Sequence, residues 1–215
     1  MEYKIARFKE LLLNENLRQN LVSRKTTRED LQRHIEDSLA IARFLNLAGQ
    51  KIVDIGSGAG FPGLILGMAF QEIELVLIES DQKKSFFLQS VISDLGINNI
   101  SVIPQRAEEI GRHNIYRESF DLAISRAVAP INVLAEYAIP LLKVGGELVL
   151  WKGKSFQEEI DKAKQALEIL GGELKRVEEY DLGDERKRVL VFIGKVKPTA
   201  KGFPRRTGIP AKRPL

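Results

Sequence analysis

The stretch Asp54-Ile55-Gly56-Ser57-Gly58-Ala59-Gly60-Phe61-Pro62-Gly63 decides the fold of this 215-residue chain. It follows the short β-rich run Lys51–Ile55 and leads into an apolar segment with helical spacing at residues 62–70. Glycines let the backbone turn sharply and let a ligand approach without a Cβ in the way. The N-terminus of the next helix offers unpaired N–H groups and a positive dipole end. The stretch therefore predicts a strand, loop and helix that bind a nucleotide-like ligand at the carboxyl edge of a parallel sheet.

The rest of the chain repeats the alternation of strand and helix. Further β-rich runs lie at residues 74–80, 100–104, 120–125 and 147–151, and helical patterns lie at residues 83–95, 131–142 and 155–170. This order predicts an α/β fold with a parallel sheet and helices on both faces. Two last strands, at 173–182 and 187–194, are joined by so short a turn that they must be antiparallel neighbours. We expect a seven-stranded, mostly parallel sheet that ends in an antiparallel hairpin. This is the element order of the fold of methyltransferases that depend on S-adenosylmethionine (SAM), the SAM-dependent methyltransferase (Rossmann-like) fold.

The chain divides into three segments. Residues 1–48 are predicted to form a helical extension, residues 49–195 the α/β domain, and residues 196–215 a basic, proline-rich tail. Within the extension, Thr26 and Glu29 have capping-box spacing. The helix that follows them is predicted to end near residues 46–49.

Composition excludes several kinds of site. The chain has no cysteine, so thiol nucleophiles, thiolate metal sites and disulfides are absent. His34 and His113 are too few and too far apart to indicate zinc. No apolar run approaches the roughly 18 residues that span a bilayer. We expect a cytoplasmic monomer that binds no metal and no membrane.

The tail carries an uneven share of the charge. Between residues 195 and 215 there are no acidic residues, and the basic ones are Lys195, Lys197, Lys201, Arg205, Arg206, Lys212 and Arg213. Subtracting these seven charges from the net +4 leaves −3 for the rest of the chain. Such a segment is not expected to pack a core of its own. It is either an arm that binds a polyanion or a disordered, solubilising terminus.

The spacing of the glycines narrows the choice of ligand. A dinucleotide fingerprint, G-x-G-x-x-G, would need glycine at position 61, where Phe61 stands. The pattern present, D-x-G-x-G-x-G, resembles the first motif of SAM-dependent methyltransferases. Glu79 ends the second strand, where a carboxylate accepts hydrogen bonds from ribose hydroxyls. The candidate cofactor residues from this pattern are Asp54, Gly56, Ser57, Gly58, Gly60, Phe61 and Glu79.

The end of the fourth strand, residues 124–127, faces the methyl acceptor in such folds. It lacks an Asn-Pro-Pro-Tyr run, which argues against methylation of exocyclic amines, and the missing cysteines exclude pyrimidine C5 chemistry. Guanine N7 fits, because its lone pair is already nucleophilic and positioning supplies most of the catalysis. Arg126 is expected to bind the cofactor carboxylate or the O6 edge of the base. The alternative is that Arg126 pairs with a nearby carboxylate.

Taken together, these motifs resemble the bacterial 16S ribosomal RNA guanine-N7 methyltransferases, the family of glucose-inhibited division protein B. The similarity covers nearly the whole chain. It includes residues 33–38, the DIGSGAGFPG loop, residues 105–109, residues 124–127, Lys152-Gly153 and the tail. The resemblance implies SAM contacts from Gly56, Phe61, Ala107, Glu108 and Arg126, and a guanine acceptor in the decoding region of 16S rRNA, on the free RNA or in the small subunit. S-adenosylhomocysteine would be the product.

Several alternatives stay open from the residues alone. Glu108 and Glu109 are also typical of the acidic first turn of a helix, and His34 is more typical of a structural hydrogen-bonding group. Arg106, a candidate catalytic residue with Arg126, is alternatively a phosphate contact, as are Lys152 and Lys154. An enzyme of the same fold with a small-molecule or protein substrate would not need the basic tail. An inactive RNA-binding or assembly module would not need the glycine loop, Glu79 and Arg126.

Overall fold

The computed structural model describes residues 1–184 and 187–215. Within them, seven strands form one sheet in the order β3-β2-β1-β4-β5-β7-β6. Strands β1 to β5 are parallel, and β7 runs antiparallel to both β5 and β6. The predicted fold class is confirmed, including the terminal hairpin.

The elements alternate as the sequence predicts. The strands are β1 Lys51–Ile55, β2 Glu74–Ile78, β3 Ile100–Ile103, β4 Phe120–Arg126, β5 Leu142–Lys152, β6 Gly172–Tyr180 and β7 Arg188–Lys195. The α-helices are α1 Glu2–Asn16, α2 Arg28–Leu39, α3 Gly63–Ala69, α4 Gln82–Asp94, α5 Ala107–Ile110, α6 Ile131–Ala138, α7 Phe156–Leu170 and α8 Ile209–Lys212. Short 3-10 turns at Ala40–Arg43 and Ile139–Leu141 follow α2 and α6.

Alternate side chains of the central strands enter two separate cores, because successive residues of a strand point to opposite faces. On β1, Ile52 lies in a core that includes residues of α1 to α4, whereas Val53 lies in a core that includes residues of α5 to α7. Both residues are fully buried. The sheet is therefore covered on both faces, which a parallel sheet requires.

The N-terminal helices are part of the first core. Phe8 and Leu12 of α1 and Leu31 of α2 are fully buried in it. The capping box begins one residue later than predicted: Thr27 and Asp30 exchange the two hydrogen bonds, at 3.1 Å and 2.9 Å. Helix α2 also ends at Leu39, earlier than predicted, and a 3-10 turn continues the chain to Arg43.

The C-terminal segment corrects the composition-based expectation. Residues 199–215 are ordered and pack against α5 and α6, with Thr199, Pro204 and Pro210 buried. Arg205 forms an ion pair with Glu136, whose side chain is 1% exposed. Lys195 at the end of β7 is also buried and pairs with Glu118 at 2.7 Å. Composition misses this docking because the segment packs on the domain instead of forming a core of its own.

Candidate active site

The glycine loop lies at the carboxyl end of β1, where the strand order reverses between β2 and β4. The N–H groups of Gly56 and Ser57 donate to the carbonyl of Ile78 at 2.8 Å and 3.2 Å, which ties the loop to the end of β2. Gly56 has φ 72°, and a Cβ there would lie 2.6 Å from Cγ2 of Val128. Only glycine fits this turn.

Asp54 stabilises the loop from below. Its Oδ2 accepts a hydrogen bond from the N–H of Gly63 at 3.1 Å, and Ser57 Oγ donates to its carbonyl at 3.2 Å. Asp54 is fully buried, and this burial raises its pKa to about 7. Its Oδ1 is buried without a hydrogen-bond partner among the described residues. These contacts assign Asp54 to the loop and the start of α3.

Glu79, one residue beyond β2, contacts the same loop. Its Oε2 accepts from the N–H of Gly58 at 2.9 Å, and its Oε1 accepts from the N–H of Asp81 at 2.8 Å. A carboxylate oxygen has two lone pairs and so can accept a second hydrogen bond. Glu79 thus has a fixed orientation and keeps acceptor capacity for a hydroxyl.

The next strand end brings α5 to this edge. Ala107 and Glu108 begin α5 and are buried, whereas Arg106 and Glu109 are exposed. Glu108 Oε1 accepts from the N–H of Gly208 in the C-terminal segment at 2.8 Å. Within the described residues, the Arg106 side chain has no hydrogen bond or ion pair. No such contact supports its predicted catalytic role, which stays a prediction.

Phe61 and Arg126 join the loop to β4. The Arg126 guanidinium carbon lies 5.1 Å from the centre of the Phe61 ring, and the ring also contacts Phe8 and His34 at centroid distances of 5.5 Å and 5.4 Å. Phe61 is 6% exposed. A cation over an aromatic face is electrostatically attracted. Ala127 follows with φ 58°, a left-handed conformation that is uncommon outside glycine.

Asp37 of α2 is the carboxylate that pairs with Arg126. Arg126 Nη1 donates to Asp37 Oδ2 at 2.7 Å, and Tyr180 Oη donates to Asp37 Oδ1 at 2.5 Å. Arg188 Nε lies 3.5 Å from Oδ1, and Trp151 Nε1 donates to the Asp37 carbonyl at 2.8 Å. Burial raises the pKa of Tyr180, and the neighbouring negative charge of Asp37 adds to the effect. Side chains from β5, β6 and β7 thus fix Asp37 of α2, and Asp37 in turn fixes Arg126.

A cleft of about 820 Å³ opens beside this network, between α2 and the carboxyl ends of β4 and β5. Its basic residues are Lys25, Arg33, Arg126, Lys152, Lys187 and Arg188, and its acidic residues are Asp30, Asp37 and Glu159. Lys152 pairs with Glu159 at 2.7 Å and donates to the Ala129 carbonyl at 2.8 Å. The cleft therefore has an excess of positive charge next to the glycine loop.

The structure brings most of the predicted site residues together. Asp54, Glu79 and Arg126 surround the loop 56–61, and Ala107 and Glu108 lie at the neighbouring strand end. The sequence pattern does not indicate the roles of Asp37 and Tyr180. Asp37 lies one helical turn from His34, within the stretch 33–38 that carried the family resemblance. Tyr180 comes from a strand 143 residues further along the chain, and no local pattern indicates such a contact.

The residues present fit SAM. The loop exposes backbone where a Cβ at Gly58 would meet nothing closer than 3.8 Å, and Glu79 keeps acceptor capacity for ribose hydroxyls. No cluster of three potential metal ligands occurs in residues 1–184 and 187–215. None of the helices described there is long and apolar enough to cross a membrane.

Solved structures share this architecture. The structure of M. jannaschii TYW2 in complex with AdoMet aligns with a TM-score of 0.61 and 14% identity, and the alignment covers 81% of this chain and 80% of that one. A SAM-dependent O-methyltransferase from Thermotoga maritima aligns with a TM-score of 0.59 and 16% identity, and the alignment covers 88% and 72%. At these identities the likeness concerns the fold.

The sequence comparisons are more specific. The chain is 50% identical to the ribosomal RNA small subunit methyltransferase G of Syntrophomonas wolfei over the full length of both chains. It is 44% identical to the protein of the same name from Moorella thermoacetica, over 95% of this chain and 86% of that one. The family model described as GidB, rRNA small subunit methyltransferase G, matches residues 1–189. These matches place the chain in the GidB family of rRNA small subunit methyltransferases G.

Proposed function

We propose that this protein transfers a methyl group from SAM to N7 of a guanine in the decoding region of 16S rRNA. The observation that carries the proposal is the position of Arg126. Its guanidinium lies over Phe61 of the glycine loop and pairs with Asp37 in the wall of the basic cleft. A cofactor compartment and an acceptor compartment therefore meet at one side chain.

The cofactor compartment consists of the loop and the two strand ends beside it. Gly56, Gly58 and Gly60 leave backbone open to the ligand, and Glu79 accepts from the ribose hydroxyls. Ala107 and Glu108 lie on the adenine side. When bound here, SAM supplies an electrophilic methyl group on a sulfonium centre.

The acceptor compartment is the basic cleft. Guanine N7 has a free lone pair, so no general base has to remove a proton before transfer. Arg126 donates to O6 of the guanine or to the carboxylate of the cofactor, which leaves the N7 lone pair free to attack the methyl group. The protein's contribution is orientation: the network around Asp37 keeps Arg126 in one position, so that the base approaches the methyl group in line.

The surrounding charge suits a polyanion. Lys25 and Arg33 on one wall and Lys187 on the other add positive charge to the cleft, and phosphate contacts of this kind position a nucleic acid without reading its sequence. A small-molecule methyltransferase has no need of this surface. We place the protein in the cytoplasm, where the small subunit is assembled, and propose that it acts as a monomer.

The experiment that tests the proposed acceptor uses SAM labelled in the methyl group. Unmethylated 16S rRNA, intact small subunits and an RNA-free protein fraction are incubated with the enzyme separately. The proposal expects label in the RNA or in the subunits, and in the RNA component of the latter. Label in protein, or in a small-molecule fraction of the same cells, would replace the proposed acceptor while leaving SAM as cofactor.

A further inference from the structure

We infer that the docked C-terminal segment, residues 199–215, positions the α5 end of the cofactor compartment, so that SAM affinity depends on this segment. The inference rests on the proposed function, because it takes SAM as the ligand of the glycine loop. It assigns to the segment a role distinct from the RNA binding that its basic composition suggests.

The segment contacts the first turn of α5 directly. The N–H of Gly208 donates to Glu108 Oε1 at 2.8 Å, and Glu108 is only 4% exposed. Thr207 Oγ1 donates to Glu109 Oε1 at 3.4 Å. Helix α5 has only four residues, Ala107–Ile110, and a helix of one turn has no stability of its own. Its position therefore depends on the groups packed against it.

An ion pair to a buried carboxylate fixes the segment to α6. Arg205 donates its backbone N–H to Glu136 Oε1 at 2.7 Å, and its guanidinium donates to both carboxylate oxygens at 2.6 Å to 3.1 Å. Glu136 is fully buried. A buried carboxylate that loses its partner is strongly unfavourable, so Glu136 selects this one docked position.

The segment also packs closely against the other end of α5. A Cβ on Gly111 would lie 2.8 Å from Cγ of Pro204, and Arg112 Nε donates to the Pro204 carbonyl at 2.8 Å. Arg117 Nη1 donates to the Phe203 carbonyl at 2.6 Å. The segment thus contacts α5 at its start and just beyond its end.

The position of α5 explains why these contacts reach the cofactor. It begins at the carboxyl end of β3, which pairs with β2, and Glu79 follows β2 at the same sheet edge. A nucleoside whose ribose lies at Glu79 is adjacent to the first turn of α5. Release of the segment would remove the backbone donor of Glu108 and let this turn shift.

The test measures the Kd for SAM by isothermal titration calorimetry, without RNA, in alanine variants of two neighbouring arginines. Arg205→Ala breaks the ion pair with the buried Glu136, and we expect the Kd for SAM to rise about tenfold, within the usual range of coupling between two sites. Arg206→Ala is the matched control, because Arg206 is exposed and its side chain makes no hydrogen bond or ion pair in the described part of the chain. Equal SAM affinity in the wild type and in Arg205→Ala would overturn the inference.

A second pair of variants keeps the test decisive if Arg205→Ala unfolds. Arg205→Ala combined with Glu136→Gln removes the buried charge together with its partner. Gly111→Ala changes no charge. It causes no backbone strain, because Gly111 has a helical φ of −63°, but the added Cβ would displace Pro204. Both folded variants are expected to bind SAM more weakly, and wild-type affinity in both would contradict the proposed positioning role.

Hydrogen exchange measures the effect of SAM on the C-terminal segment itself. Because coupling between two sites is reciprocal, SAM should slow amide exchange in residues 203–209 of the wild type more than in Gly111→Ala. Unchanged exchange in the wild type with SAM bound would refute the coupling. A wild-type protein that binds no SAM would instead refute the proposed function.

Discussion

Individual side chains at the carboxyl edge of the sheet have separable tasks. Asp54 and Glu79 accept hydrogen bonds from the loop backbone at Gly63 and Gly58. Arg126 belongs to the acceptor side through Asp37. The sequence alternative in which Arg126 pairs with a carboxylate is therefore present in the structure, and the ion pair places the guanidinium beside the loop instead of removing it from the site.

The replacement Arg126→Ala should lower kcat by about 100-fold, in the range of other losses of a charged group that orients reactants. The protein should stay folded, because Asp37 keeps its contacts with Tyr180 and Arg188. Single-turnover methylation and thermal unfolding measure the two effects. Arg176→Ala is the control, since Arg176 also lies over a phenylalanine ring and pairs with Glu147, but on the hairpin. Wild-type turnover in Arg126→Ala would remove its proposed role.

The raised pKa of Asp54 should make the stability of the protein depend on pH. This pKa is about 7 in the folded protein against an ordinary value of 3.8. Between these values the native state binds a proton that the unfolded state lacks, so the free energy of unfolding falls as pH rises. From pH 5 to pH 8 the loss from this group should reach roughly 3 kcal/mol, at about 1.4 kcal/mol per pKa unit.

Urea unfolding of the apoprotein at several pH values measures this loss. Asp54→Asn should flatten the decline between pH 5 and pH 8, whereas Asp94→Asn should leave it, because Arg7 lowers the pKa of Asp94 and that group titrates below the window. A decline that persists unchanged in Asp54→Asn would show that another group causes it.

Secondary-structure elements show where sequence reasoning succeeds. The glycine loop, β1 and α3 are predictable because glycine spacing and apolar periodicity are local signals, and the bounds differ by one residue for α3. The docking of residues 199–215 is not local. It depends on Glu136, 69 residues away in sequence, whose buried carboxylate has no signature in its own helix.

Alanine substitutions at two glycines with positive φ should differ in their effect on SAM binding. Gly56 and Gly96 have φ 72° and 56°, so alanine at either position costs about 1–2 kcal/mol of stability. A Cβ on Gly56 would also collide with Val128, whereas a Cβ on Gly96 would meet nothing within 4 Å. Gly56→Ala should therefore abolish SAM binding, and Gly96→Ala should retain it. Titration of both variants with SAM decides the point, and a Gly56→Ala protein with normal affinity would contradict the placement of SAM at this loop.

The molecule as a whole presents positive charge at the site and along the docked C-terminal segment. Lys201, Lys212 and Arg213 are exposed on that segment. The segment is therefore a fixed basic surface, in contrast to the free arm or disordered terminus that composition suggests. Its basic residues, apart from the paired Arg205, remain available to phosphates.

Replacing Lys201, Lys212 and Arg213 with glutamine should weaken 16S rRNA binding and reduce the salt slope of log K by up to about 2, at roughly 0.7 per phosphate contact. The paired control replaces Lys162 and Lys164, which are exposed on α7, the helix that packs against α6. Filter binding across salt concentrations measures both slopes. An unchanged slope in the triple variant would show that the segment does not contact RNA.

We propose that the glycine loop and the basic cleft act together on one guanine. The most direct test of this proposal is methyl transfer from labelled SAM to unmethylated 16S rRNA, free and in small subunits, with the product mapped by mass spectrometry of nuclease fragments. We expect a single 7-methylguanine in the decoding region, and we expect Arg126→Ala to lose it. A methyl group on another atom or another site, or no methylated RNA from a protein that binds SAM, would contradict it.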